Sequence, residues 1–465
     1  MLSSSLVFQS ADVRAESTLN SSPSPSLKRK RLFYQTMDKL LILLFTFLTT
    51  VSFGQQKIKN YVLHNSFPIS TISPDSTNYD DLLAIGSAIG NAQIVMLGEQ
   101  DHGDATTFLA KTRLIKYLHE KKGFNVLAFE SDFFGLNNGW DDLNKSKPQI
   151  DSFLKNNILS LWTYCDACNE LFYNYIPLTQ KSDVPIIVTG FDNQTVYSYS
   201  RKYLVEKLDS VFRELELPIT QKTDYQSRVL VQLETLVTKF GYQRPANDFF
   251  YTCGNTLKII KEQVKNKLPS ENFWSVVIDN LIVYNDEELY LNKKDKWQIE
   301  TIRDKQMALN LKWIIQTKYP NQKIIVWAAN NHIANYSDKK YTSMRHFLTS
   351  DTSLSDKMYS IGFTSYKGEG GRLWEKKFTI SKPKANSFES WMNNSFEYAF
   401  VDFTAYNKTF SKSNEEFDMR GWRYWTSKKQ WNRIFDGIFF IQEMYPCKDN
   451  KTAAYIGLQQ VGLKE

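Results

Sequence analysis

The sequence predicts an α/β protein with a mostly parallel central sheet flanked by helices, and a long helical insertion over the carboxyl edge of the strands. Three observations point there. The runs "IVML", "VLAF", "IIV" and "IIVW" are apolar at consecutive positions, as in strands buried on both faces. They alternate with segments of helical periodicity, the pattern of parallel strands joined by helical crossovers. Residues 199–318 keep helical spacing throughout and carry no strand signal.

In chain order, "KRKRLFYQTMDK" is basic and "LLILLFTFLTTVSFG" (40–54) is an apolar run of signal-peptide length, with Ser52 and Gly54 before a cut at Gln55. A spanning helix needs about 20 apolar residues, so this segment reads as a cleaved signal with Met37 at its start. Residues 1–36 then read as an upstream extension of the reading frame, 37–54 as the signal peptide, and the mature chain as exported, periplasmic or secreted. No cysteine sits at the cut to carry a lipid, so no stable membrane anchor is expected after cleavage.

Residues 55–78 look extended, with Pro68 and Pro74 among Ser, Thr and Asn. The segment 79–198 forms the first α/β part. It holds strands at 93–99, 124–130 and 184–192, and a helix from Asp104 as N-cap to Gly123 as C-cap. The helical arm is 199–318. A second α/β part, 319–445, holds strands at 322–332 and 357–371 and a last one at "DGIFFIQ"; 446–465 is a tail.

At 42% hydrophobic and 14% aromatic, the chain of 465 residues has ample material for a core. The net charge is +7, but residues 1–54 hold six basic and three acidic residues, and the remainder is near balance. That leaves no electrostatic footprint for nucleic acid. Of four cysteines, Cys165 and Cys168 form a lone CxxC, a local disulfide or plain packing; no second pair completes a zinc ribbon.

Ligands of open parallel sheets bind beyond the carboxyl ends of the strands. Those ends are polar here. The first strand runs into Glu99 and then His102, the second ends in Glu130, the third in Asp192, and the fourth runs into Asn330, Asn331 and His332. Two imidazoles and several carboxylates on one rim can move protons or hold a divalent ion. His64, His119 and His346 are read as bystanders, and Arg303 with Asp304 as a structural ion pair opening a helix. Trp140, Trp162, Tyr164 and Tyr197 are candidates to line a cleft.

"LGEQDHGDATTFLAKTRLIKYLHEKKGFNVLAFES" (97–131) resembles the erythromycin esterase family, with its Gly-Glu-x-x-His-Gly turn, helix and strand ending Phe-Glu. Further matches lie in "RDKQMALNL", "VWAANNHIA" and "YSIGFTSYKGEG". The resemblance implies an α/β core, a helical arm and hydrolysis of an ester, notably a macrolide lactone, by activated water. Matched residue by residue, the turn carboxylate is Glu99, the general base His102, the strand-end carboxylate Glu130, and the second histidine of a His-Asn-x-His pattern His332. The first histidine of that pattern is Ala329 here, and an arginine of the early helix is Lys111, which keeps the charge but not the bidentate fork.

The mechanism expected is water attack with His102 as base, assisted by Glu99 and Glu130, with His332 and Lys111 stabilising charge. No G-x-S-x-G elbow is present for a covalent route. Asp192, Asn330, Trp162 and Tyr164 would bind a small ester or lactone, with no cofactor. The competing readings are a metal-dependent hydrolase using Glu99, His102, Glu130 and His332, and a non-catalytic binding protein on the same fold.

Overall fold

The computed structural model describes residues 56–238, 244–293 and 295–450. The expected N-terminal extension and signal segment lie outside these residues. So does most of the expected tail.

Strands β1 (Ser66–Ile69), β2 (Ile94–Leu97), β3 (Phe124–Asp132), β4 (Ile187–Asp192), β5 (Lys323–Trp327), β6 (Met358–Gly370), β7 (Phe378–Ile380), β8 (Tyr398–Asp402) and β11 (Gly437–Met444) form one sheet; β9 (Phe417–Trp422) and β10 (Trp425–Lys429) form a separate hairpin. The order is β1-β8-β11-β6-β2-β5-β3-β4, with β7 paired to β6. From β4 to β11 every neighbouring pair is parallel; β8 and β1 close one side antiparallel. The five strands expected from 93 to 371 and the last at 436–442 are all present. The structure adds strands that the apolar runs do not mark: β1, inside the segment that looks extended, together with β7, β8 and the hairpin. β1 carries Pro68 and lies at the edge, where a missing N–H costs no ladder bond. Residues 57–64 of the same segment are helical, which corrects the extended reading.

The apolar runs are apolar because each strand serves two cores. Ile94, Met96, Val126, Ala128, Ile324 and Val326 pack into the core on one face. The intervening Val95, Leu97, Leu127, Phe129, Ile325 and Trp327 pack into the core on the other.

The helices that matter for the site are α1 (Leu83–Ile89), α2 (Ala105–Lys122), α3 (Phe133–Asp142), α4 (Lys147–Asn157) and α5 (Ser160–Thr163). The arm follows: α6 (Ser198–Glu214), α7 (Val231–Thr238), α8 (Asn247–Lys265), α9 (Phe273–Lys293) and α10 (Lys296–Trp313). No strand occurs among its described residues. Leu204, Leu208, Leu257, Leu281 and Met307 of the arm join the first core, while Phe108, Leu114 and Leu118 of α2 join the second. Most of the arm therefore covers one face of the sheet. Its last helix, α10, brings side chains to the strand ends.

α2 starts after Asp104 and stops at Gly123, which adopts the left-handed conformation with φ 74°. The Asp104 side chain does not cap the helix; it accepts from the Asp101 N–H at 3.0 Å and from the Tyr424 hydroxyl. The cysteines pair differently from the local reading. Cys165 is bonded to Cys447, 282 residues away, and Cys168 is a buried thiol. The start of the expected tail is therefore fastened: Cys447 N–H donates to Gly103 O at 2.8 Å, and Asn450 N–H to Tyr164 O at 2.8 Å.

Asp132 ends β3 and caps α3, its carboxylate accepting from Gly135 N–H at 2.9 Å. Burial, with Asp192 nearby, pushes its carboxyl up to about 7. Between the ordinary value of 3.8 and about 7, the folded chain keeps a proton that the unfolded chain releases. Stability from this group therefore falls as pH rises through that window. Asn also caps helices well, so Asp132→Asn should raise the melting temperature relative to wild type by a few degrees more at pH 8 than at pH 5. Thermal unfolding of both proteins at the two pH values decides it; an equal difference at both overturns the assignment.

Candidate active site

The site begins with a packing requirement. Gly98 and Gly103 bracket the turn after β2. A Cβ on Gly98 would stand 2.1 Å from Asn330 Oδ1, and one on Gly103 would stand 2.5 Å from the Gly371 carbonyl oxygen. Two glycines let the turn lie flat against the loops that follow β5 and β6. Asn330 completes that seam. Its amide donates to Phe363 O at 2.8 Å and Gly421 O at 3.0 Å, and its Oδ1 accepts from Phe363 N–H at 3.1 Å. Asn330 is thus fully used in tying β5 to β6 and the hairpin. This corrects its reading as a substrate ligand.

Inside the turn, Glu99 is fully buried. Its Oε1 accepts from Trp162 Nε1 at 2.9 Å and from His102 Nδ1 at 2.7 Å, and its Oε2 meets Lys111 Nζ at 2.6 Å. Lys111, on the inward face of α2, also lies over the Trp327 ring at 3.9 Å. Burial pulls its ammonium below the ordinary lysine value, and Glu99 opposes that pull. Lys111 is therefore a fully buried partner of Glu99, not the open charge-stabilising group expected for it. Trp162 is likewise enclosed and holds Glu99 in place instead of lining a cleft. Trp140 is buried as well.

An ionised carboxylate only accepts hydrogen bonds, so opposite Glu99 the donor is His102 Nδ1, and in the neutral ring Nε2 is then the acceptor. Nε2 has no protein partner among the described residues, and the His102 side chain is 18% exposed. The ring stands edge-on to Trp162, centroids 5.5 Å apart.

The second half of the site is built on Glu130. Its Oε1 faces Arg303 Nη2 at 3.0 Å and His332 Nε2 at 3.1 Å, and its Oε2 accepts from Ala329 N–H at 3.0 Å. Burial would raise Glu130, but His332 and Arg303, with His102 within electrostatic reach, hold it well below the usual carboxylate range. Arg303 also grips Asp192 through Nε at 3.2 Å and Nη2 at 2.7 Å. His332 Nδ1 lies 2.5 Å from Asp304 Oδ1, and Tyr341 donates its hydroxyl to the other oxygen of Asp304. Burial would lower His332, but carboxylates on both nitrogens hold it well above the ordinary imidazole range. It is a cation locked between Asp304 and Glu130, with both N–H groups committed.

Arg303 and Asp304, expected to pair with each other, sit inside α10 and turn to different partners. Of the remaining candidates, Tyr164 is half-buried with its ring edge-on to Trp374 at 5.7 Å, away from this cluster's contacts. Tyr197 is half-buried. Ser131 donates to Asn157 O at 3.2 Å, a structural bond. His119 binds the Tyr175 hydroxyl and Val184 O.

A divalent ion does not fit the donor set. The Glu99 and Glu130 oxygens already meet two cations, two imidazoles, an indole and a backbone amide. No group of three or more metal-ligating side chains occurs among the described residues.

A buried carboxylate holding one nitrogen of a histidine, beside a second carboxylate held by fixed cations, is an arrangement that can support acid–base chemistry. The comparisons agree in class. The chain belongs to the erythromycin esterase family, whose profile matches residues 119–444. The match includes Glu130, Asp192, Arg303, Asp304 and His332 and begins after the His102 turn. The chain is 27% identical over 79% of its length to 87% of YbfO from Bacillus subtilis (strain 168), whose name ranks it among hydrolases. It is 23% identical over 72% of its length to 83% of an erythromycin esterase type II of Escherichia coli. Among solved structures it superposes on a histidine-to-asparagine variant of the erythromycin esterase EreC in its open conformation, with TM-score 0.63 and 14% identity, over 83% of this chain and 99% of that one. A succinoglycan biosynthesis protein matches equally in fold, with TM-score 0.63 and 21% identity, over 85% of this chain and 99% of that one. The protein is a hydrolase of this family.

Removing the cation beside a buried carboxylate typically costs about 3–5 kcal/mol, and removing one hydrogen bond to a charged group about 1.5–3 kcal/mol. Lys111→Met should therefore destabilise the chain more than Trp162→Phe. Denaturant unfolding of the two variants reads the order, and a Lys111→Met protein as stable as wild type would refute the role given to the Lys111–Glu99 pair.

Proposed function

We propose that the protein hydrolyses an ester or lactone by direct attack of water, with His102 as the general base. The observation that carries this reading is the His102 ring itself, pinned through Nδ1 by a buried carboxylate and left with Nε2 as an acceptor that no described residue engages. Nε2 takes a proton as water oxygen bonds to the acyl carbon, and Glu99 stabilises the imidazolium formed. The proton then passes to the departing alkoxide as the tetrahedral centre collapses. Glu130 keeps the opposite wall anionic and oriented. His332 sits behind Glu130 with both nitrogens engaged, so the developing oxyanion is assigned to Arg303, whose Nη1 has only long contacts, 3.5 Å to His332 Nε2 and 3.9 Å to Glu300. The substrate is a small molecule.

Positioned general-base catalysis contributes about 10²–10⁴-fold. On a panel of esters and lactones assayed with and without chelator, His102→Asn should lose at least a hundredfold in turnover while remaining folded. Glu130→Gln should also lose most activity. A folded His102→Asn protein with wild-type turnover on a cleaved ester would remove His102 from the mechanism, and turnover abolished by chelator would restore the metal reading.

We also propose that the chain is exported, into a periplasm or beyond. The basic flank and apolar run before Gln55 motivate this, and the Cys165–Cys447 disulfide supports it, since such bonds persist in oxidising compartments. N-terminal sequencing of the exported protein should read from near Gln55; a mature chain retaining "LLILLFTFL" would refute it.

A further inference from the structure

Beside the His102 turn lies a cavity of about 280 Å³ that none of the groups above uses. Asp101, the residue before His102, is part of its lining. Gly371, Arg372 and Glu375, which follow β6, and Phe378, which opens β7, also line it. So does the turn from Arg423 to Trp425 between β9 and β10. Both stretches are fastened to the catalytic turn. Gln100 Nε2 donates to Arg420 O at 2.8 Å and Arg423 O at 2.6 Å. Arg372 Nε donates to Asp101 Oδ1 at 2.6 Å. The cavity is thus fixed in position relative to His102.

Its chemistry is mixed in a particular way. Arg372, Arg423, Asp101 and Glu375 supply two guanidinium groups and two carboxylates, so the net charge of the lining is balanced and a simple ion gains little there. Arg423 Nε stands 3.8 Å from Asp101 Oδ2, close enough for a ligand hydroxyl to bridge the two. Next to these polar groups are open aromatic faces. Trp425 is 60% exposed and Phe378 46% exposed, and Phe378 stands edge-on to Tyr424 at 5.5 Å. A ligand that suits both has hydroxyls that donate and accept around a ring whose C–H faces are apolar enough to lie on an aromatic surface. The volume is near the roughly 300 Å³ lower bound of ligand pockets, room for one ring and not for a macrocycle.

We propose that this cavity is a subsite for a sugar ring carried by the substrate, stacked on Trp425 and Phe378 and hydrogen-bonded by Asp101, Glu375 and Arg423, with its ester presented to His102. The proposal rests on the hydrolase reading of His102 and adds the substrate class. The test uses acetylated methyl glycosides of glucose, galactose, mannose and rhamnose beside p-nitrophenyl acetate, and the unacetylated glycosides as ligands in saturation-transfer NMR. At least one sugar acetate should be preferred in kcat/KM over p-nitrophenyl acetate. Trp425→Ala and Arg423→Ala should each cut that preference about tenfold, mostly through KM. Tyr251→Ala, an exposed aromatic on the arm, should leave it intact. An unchanged preference in Trp425→Ala overturns the subsite while leaving the hydrolase standing. If no ester is cleaved by wild type, the hydrolase reading fails alone, and NMR decides the subsite. Saturation transfer to a glycoside that disappears in Trp425→Ala upholds it, and the absence of transfer to any glycoside overturns it.

Discussion

A carboxylate taken out of water must be answered by protein groups, and the Glu99 side chain is where this fold concentrates that demand. Three elements answer it: α2 with Lys111, α5 with Trp162, and the turn itself with His102. The backbone joins in, since Glu99 O accepts from Asn330 N–H at 2.9 Å and so fixes the end of β2 to the end of β5. An isolated buried charge would cost several kcal/mol. Each partner is therefore held in its geometry by the same penalty that would follow its loss, and the tautomer of His102 is a by-product of that balance.

The same logic extends across the rim. With its carboxylates ionised, the cluster sets Glu99, Glu130, Asp192 and Asp304 against three cations, Lys111, Arg303 and His332. One negative charge is left over. Under the proposed mechanism, a proton arriving on His102 would close that difference.

Much of this is legible from residue order because parallel strands aim their carboxyl ends at one edge. Apolar runs locate the strands, and whatever polar residue follows each run must share that edge. Glu99, His102, Glu130, Asp192 and His332 emerge this way. Arg303 and Asp304 do not. Adjacent opposite charges on a helix look like surface, and only the tertiary placement of α10 turns one toward Glu130 and the other toward His332. Lys111 and Trp162 stand out in the sequence but take other roles in the fold, because a sequence does not say which side of a carboxylate a partner occupies. The strands at the antiparallel side escape for a different reason: β1 is short and carries a proline, and β8 is only five residues long, although its Ala399, Phe400 and Val401 do face both cores. Cys165 has a cysteine three residues away and bonds instead to one 282 residues distant.

That distant bond has a consequence for how the enzyme comes into being. Cys447 clasps Cys165 three residues beyond Trp162, and its own N–H holds the Gly103 carbonyl, next to His102. A ribosome makes His102, Glu99 and Trp162 early and the clasp late. Until that late stretch emerges, the turn lacks the bond from Cys447 N–H to Gly103 O.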